Sequence, residues 1–339
     1  MHALKSEEAV CAACPSADCL LKCQYMALGR DEAHGEMMKI VRGEDSPVLR
    51  DCVTCYACEE YCPRGNHPFY RITDAQDRLG IHVVPKPIEE SQVRMMAPKG
   101  KKKEQEENKG TLIDMCVFPM LKGCIRIPLF ENTSVFSGSD VFCNLMYLHF
   151  SRSSTTKERL PAVMENIAAY LKDSGTDEVV CFHDECYGTY TAWAGAYGID
   201  VPFKPVHLFT YIHKRLLALQ GQIKPLSVKV AYQRNCSARL VPETEHYVND
   251  IFGLIGAERV KREYDFENAL CCGAVLEAQQ RFDLAEANQD RNVEDMKAAG
   301  ATFCIFNCPM CFFTLMEKVA KAGMTPMMMS DFCQLALSK

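Results

Sequence analysis

The chain has 339 residues, enough for two or three domains with hydrophobic cores, and a formal net charge of −6. That acidic balance excludes the basic face by which nucleic acid is usually bound, and no stretch approaches the roughly 20 apolar residues that would span a bilayer. Twenty cysteines would be a disulfide scaffold in a short secreted chain, but here most fall into metal-ligand motifs, and the residues from Met1 to Cys14 lack the apolar core of a signal peptide. The expected compartment is a reducing cytoplasm in which thiolates stay available to metal, with any membrane association supplied by a partner subunit.

Residues 1–85 open with two cysteine runs, Cys11, Cys14, Cys19 and Cys23, then Cys52, Cys55, Cys58 and Cys62 followed by Pro63. The second is C-x2-C-x2-C-x3-C-P, the run used by two-cluster bacterial ferredoxins, in which the fourth cysteine crosses over to the other cluster. By that rule Cys23, Cys52, Cys55 and Cys58 hold one [4Fe-4S] cubane, and Cys11, Cys14, Cys19 and Cys62 hold the other. The first run departs from the rule, since Pro15 to Asp18 put four residues between its second and third cysteines. Zinc is the competing reading, but zinc sites normally take two C-x2-C pairs per ion, whereas each run here has three closely spaced thiols plus a fourth. Between the runs, the segment from Glu32 to Val41 bunches its apolar residues at helical intervals, which predicts an all-helical module. His34 and His67 lie near the cysteines and receive no role.

The composition shifts at about residue 86. From Lys99 to Gly110 nearly every side chain is charged or small, too little apolar surface to offset the entropy of ordering, and 86–110 is expected to be a solvated linker.

Residues 111–226 and 227–339 can be read as two versions of one α/β unit. Thr111 to Cys116 matches Val228 to Cys236: a short apolar strand delivers a cysteine at its end. Glu178 to Tyr187 matches Ala301 to Phe312, where a strand runs into a C-x-x-C-like turn that starts a helix. A helix precedes each of these strands, Leu160 to Leu171 in the first version and about Glu277 to Ala298 in the second. Two such halves related by a pseudo-twofold would face their cysteine loops toward each other. The first half retains Cys116, Cys143, His183 and Cys186, with Cys124 and Cys181 as substitutes. Three thiolates and one imidazole suffice for tetrahedral zinc or for an additional cluster, and a decayed, empty site is the competing reading.

The second half carries Cys236, Cys271, Cys272, Cys308 and Cys311 in the pattern C-x34-C-C-x35-C-x2-C. Soft thiolates at this density read as the ligand set of an iron-sulfur centre rather than as packing, while Cys304 and Cys333 fall outside the pattern. A cubane needs four cysteines, so a fifth points to an unusual cluster. Gly273 lets the backbone approach closely, and Pro309 suits the first turn of a helix whose positive end favours the thiolates of Cys308 and Cys311.

This spacing resembles the cysteine-rich CCG domain of heterodisulfide reductase catalytic subunits, in which five cysteines hold a non-cubane [4Fe-4S] cluster at the disulfide-cleaving site. The amino-terminal runs resemble the helical two-cluster electron-transfer subunit of the same enzymes. The resemblance implies a helical ferredoxin domain followed by two pseudo-symmetric CCG repeats, of which only the second is complete. It implies an oxidoreductase subunit that passes electrons through two cubanes to a five-cysteine cluster acting on a disulfide or thiol, either a small molecule or a sulfur-carrier protein. The alternative is an electron-transfer subunit with no substrate of its own. No flavin or nucleotide fingerprint is found, so a flavin-bearing or membrane cytochrome-like partner subunit is expected. A multi-zinc scaffold would be colourless, whereas the expectation is a brown protein.

Overall fold

The structure, a computed structural model, describes residues 4, 6–100, 110–125, 127–172 and 174–337. Among the described residues of 4–100 the regular elements are helices: α1 Glu8–Ala12, α2 Asp18–Leu21, α3 Arg30–Arg42, α4 Val48–Asp51, α5 Ala57–Tyr61, α6 Pro68–Leu79 and α7 Lys86–Met95. The two longest of the first six are bounded by residues that suit helix ends. Helix α3 turns Ala33, Met37, Ile40 and Val41 inward and stops at Gly43, whose φ of 83° closes the last turn. Helix α6 starts with Pro68 in its first turn and stops at Gly80 with φ 66°. The shorter helices are separated by the cysteine turns.

Helix α7 corrects the linker expected over 86–110. Residues 86–95 form a helix, with a proline in its first turn, anchored by Glu89, which is fully buried, lies 2.6 Å from His82 Nδ1 and pairs with Arg152 Nε at 2.8 Å. The charged run 101–109 lies outside the described residues.

Beyond residue 110 stand two parallel four-stranded sheets. The first is built from β1 Thr111–Asp114, β2 Thr133–Phe136, β3 Glu178–Cys181 and β4 Lys204–His207, in the order β2-β1-β3-β4. The second is built from β5 Val228–Gln233, β6 Ala257–Arg259, β7 Phe303–Phe306 and β8 Thr325–Met328, in the order β6-β5-β7-β8. The central strands are apolar runs, as strands covered on both faces must be. Ile113 and Val180 of the first sheet share one continuous core with Val230 and Ile305 of the second. The helices of 4–100 keep a small core of their own, around Leu20, Ile40 and Leu49. They also pack on the first half through Tyr56, Phe69 and Val84, and touch the second through Val53 against Leu276.

Strands β1, β3, β5 and β7 fall where the apolar runs place them. The helix expected over Glu277 to Ala298 is instead two, Ala274–Ala278 and Phe282–Ala298, broken where Gln280 takes a left-handed φ of 58°.

Candidate metal centres

In the amino-terminal helices the cysteines line two pockets. Cys11, Cys14, Cys19 and Cys62 surround the first, whereas Cys23, Cys52, Cys55 and Cys58 line the second, to which Cys19 also contributes. All eight are free thiols. Burial pushes Cys19 and Cys52 up to about 12, so these thiols would stay protonated unless a metal took the proton's place. Several sulfurs already accept hydrogen bonds. Asn66 donates its backbone N–H to Cys62 Sγ at 3.3 Å and its amide Nδ2 to Cys11 Sγ at 3.0 Å. The Thr54 N–H reaches Cys52 Sγ at 3.3 Å. His34 bonds the Cys11 carbonyl, and His67 bonds Glu59.

The five cysteines of the second half gather at the carboxyl ends of its strands. Cys236 follows β5, and Cys308 follows β7 as the residue preceding the helix Pro309–Lys321. Cys271 and Cys272 come from the intervening loop, and both are buried. Gly273 takes φ 94°, and a Cβ there would meet Gln289 Nε2 at 2.6 Å, so the turn that presents the adjacent cysteines depends on glycine. The thiols of Cys271 and Cys311 interact with Cys272 and hold it well below the usual thiol range. The neighbouring Cys311 thiol, then His183, outweigh burial and bring Cys308 down to about 6. Cys236 completes the group, within electrostatic reach of Cys308 and Cys272. Burial and their neighbours hold Cys236, Cys271 and Cys311 well above the usual thiol range, and five soft donors gathered without disulfides fit a cluster of soft metal ions.

The first half gathers a smaller set. The sulfurs of Cys116, Cys143 and Cys186 lie within 4.8 Å of one another, with Cys116 and Cys143 3.9 Å apart. A tetrahedral zinc with Zn–S bonds of about 2.3 Å separates its sulfurs by about 3.8 Å, so the spacing fits one ion. His183 is not in this group: its ring stands by Cys308 and Glu185, and its Nε2 has no hydrogen-bond partner among the described residues. Cys124 lies by Asp331, Cys181 sits in β3, and Cys304 and Cys333 are wholly buried in the core.

Three groups that no local pattern marked tie the centres together. His149, 2% exposed, has Nδ1 3.2 Å from Thr54 Oγ1 in the Cys52–Cys55 turn and Nε2 3.9 Å from Cys236 Sγ. The Tyr25 hydroxyl, two residues after Cys23, accepts from the Cys271 N–H at 3.4 Å and donates to Asn288 Oδ1 at 3.1 Å. Glu60, between Cys58 and Cys62, pairs with Arg234 at 2.7 Å and Arg239 at 2.9 Å, which flank Cys236. The cysteine runs were the available signal for these neighbours. Each of the three sits within a few residues of a run or reaches across to one.

Residues 230–316, the segment holding all five second-half cysteines, match the family model of the cysteine-rich domain CCG. The chain carries a CCG domain. Together with the gathered cysteines, the domain supports an iron-sulfur redox protein. No curated protein matches the chain. Among solved structures, a hypothetical protein from Helicobacter pylori superposes with a TM-score of 0.55 at 13% identity, over 91% of this chain and 64% of that one, a likeness of fold. This chain thus spans 64% of the length of that protein. Glutamate racemase isoform RacE1 from Bacillus anthracis gives a TM-score of 0.34 at 12% identity, over 69% of this chain and 81% of that one, too low to bear on fold or activity. No described helix is long and apolar enough to cross a membrane.

Proposed function

We propose that the chain is a heterodisulfide reductase-like oxidoreductase subunit. Cys11, Cys14, Cys19 and Cys62, and Cys23, Cys52, Cys55 and Cys58, would each hold a [4Fe-4S] cubane, and Cys236, Cys271, Cys272, Cys308 and Cys311 a non-cubane [4Fe-4S] cluster. Bound there, such groups supply one-electron transfer and, at the five-cysteine set, a place for a substrate sulfur. The observation that carries the reading is the grouping of five thiols, four of them buried and Cys236 half-buried, inside the segment that matches the CCG model.

The chain's own residues have definable tasks in this scheme. Asn66 and Thr54 donate hydrogen bonds to cysteine sulfurs, which stabilises the anionic form and raises the potential of a bound centre. The first-turn N–H groups of the helix Pro309–Lys321 favour negative charge on Cys308. Glu60, Tyr25 and His149 hold the Cys52–Cys58 turns against the Cys236 and Cys271 loops, which keeps the path between them short. The net reaction, a disulfide plus two electrons and two protons giving two thiols, needs an electron donor. A flavin-bearing or membrane cytochrome-like partner subunit supplies it, and the disulfide comes from a small molecule or a sulfur-carrier protein.

In the first half we assign Cys116, Cys143 and Cys186 to a three-sulfur site for a single ion, zinc by donor type and spacing. A second reading of the whole, a relay without substrate, draws on the burial of Cys271, Cys272, Cys308 and Cys311, each at most 6% exposed. Titrating the purified protein with thiols while following EPR separates the two. A thiol-dependent signal that appears under mild oxidation and is lost in Cys271→Ser supports the reductase, and a cubane-only spectrum at every thiol concentration leaves the relay.

A further inference from the structure

We propose that Asp184, contributed by the first half, is a positioning residue for the five-cysteine centre of the second: its buried carboxylate fixes the loops that carry Cys236 and Cys308. The inference rests on the non-cubane reading of that centre. Asp184 stands just beyond the carboxyl end of β3, at the start of the helix Asp184–Gly188, and is wholly buried. Its Oδ2 accepts from Asn235 Nδ2 at 3.1 Å and from Asn307 Nδ2 at 2.6 Å. Its Oδ1 accepts from His207 Nε2 at 3.0 Å.

The two asparagines are the residues immediately before Cys236 and Cys308, at the ends of the paired strands β5 and β7. Each is 1% exposed. The amide oxygen of Asn307 has no partner among the described residues, so Asp184 is what orients that side chain. One carboxylate therefore sets the relative placement of two loops whose cysteines must meet the same centre. The first half, short of sulfurs, contributes geometry instead.

Only a carboxylate meets the demand. His207 Nδ1 accepts from the Phe209 N–H at 3.1 Å, which leaves the proton on Nε2 and makes it a donor toward Asp184. Three donors then converge on one side chain, and aspartate is acceptor-only at both oxygens. An asparagine at 184 would turn its own NH2 toward either the His207 N–H or the two amide groups, a donor against donors in a buried site. A glutamate would carry the same oxygens about one C–C bond too far.

A plain buried tie between the halves would affect stability alone, whereas a positioning residue also alters the centre. The full chain is reconstituted anaerobically as wild type, Asp184→Asn, Asn307→Ala and the double variant Asn235→Ala/Asn307→Ala. Each is measured for iron content, EPR of the thiol-treated five-cysteine centre, the cubane EPR as internal control, and thermal melting. In Asp184→Asn the cubane signals persist, the five-cysteine signal disappears, and iron falls by about four per chain, the content of one [4Fe-4S] cluster. Asn307→Ala shifts the signal, and the double variant removes it. A folded Asp184→Asn protein with the wild-type signal and iron content overturns the proposal. Should Asp184→Asn not fold, the double variant, which keeps the carboxylate, decides: an unchanged signal overturns, a lost one supports. A wild-type protein with cubane signals alone and about eight irons, the content of two cubanes, removes the underlying reading itself, and the proposal with it.

Discussion

The two sheets behind residue 110 have the same strand order, all parallel, yet they end in different chemistry. Cys116 and Cys236 follow corresponding strands, Cys143 stands where the second half has Cys272, and Cys186 where it has Cys311. Phe142 replaces Cys271, and His183 replaces Cys308. The first sheet's loops bring three sulfurs within 4.8 Å of one another, while those of the second carry five cysteines, for which a cluster is proposed. The difference lies in two side chains, Phe142 and His183 in place of cysteines. Asn144 takes the left-handed conformation at φ 62° where Gly273 has φ 94°, so the backbone device is kept while the ligand count changes.

The comparison breaks most sharply if single ligands are removed. Cys272→Ser should abolish the proposed five-cysteine centre and lower iron by about four per chain, whereas Cys143→Ser should cost the zinc proposed for the first half and leave iron unchanged; metal analysis of the two variants side by side decides. Adding sulfurs is the reverse experiment. Phe142→Cys combined with His183→Cys gives the first half five thiols at the same strand ends, and iron should rise by about four per chain if ligand number sets the kind of centre. Glu60→Gln leaves Arg234, 2% exposed, with Glu245 as its remaining carboxylate. Thermal melting should register a loss of about 2 kcal/mol, the scale of a hydrogen-bonded charge left short of a partner. The turns test the shared backbone device. Gly273→Ala should cost about 1–3 kcal/mol for a side chain at positive φ against Gln289, while Asn144→Gly should stay within about 1 kcal/mol, both read by denaturant unfolding.

Much of this organisation could be read from local pattern because ligand cysteines come in short units and the central strands are apolar runs that end in them. What escaped was whatever depends on distant neighbours. Strands β4 and β8 contain Pro205 and Pro326, which argue against a strand unless it lies at a sheet edge, and both do. Helix α7 reads as linker because its charges stand out, while its anchoring rests on Glu89 meeting Arg152 from another part of the chain. His183 matches Cys308 by position, yet its ring stands by the other half's Cys308 rather than with its own cysteines. Asn66, His149 and Asp184 carry no motif at all. They matter through what folding brings beside them.

Glu60 belongs to the amino-terminal helices, but the guanidinium groups it holds belong to the opposite end of the polypeptide. A fragment cut at the charged run 101–109 would strip Arg234 and Arg239 of that carboxylate and uncover the apolar faces of Tyr56, Phe69 and Val84. Dissecting the chain into two recombinant pieces should therefore yield sticky, poorly behaved halves, and co-expression rather than simple mixing would be the way to bring them back together.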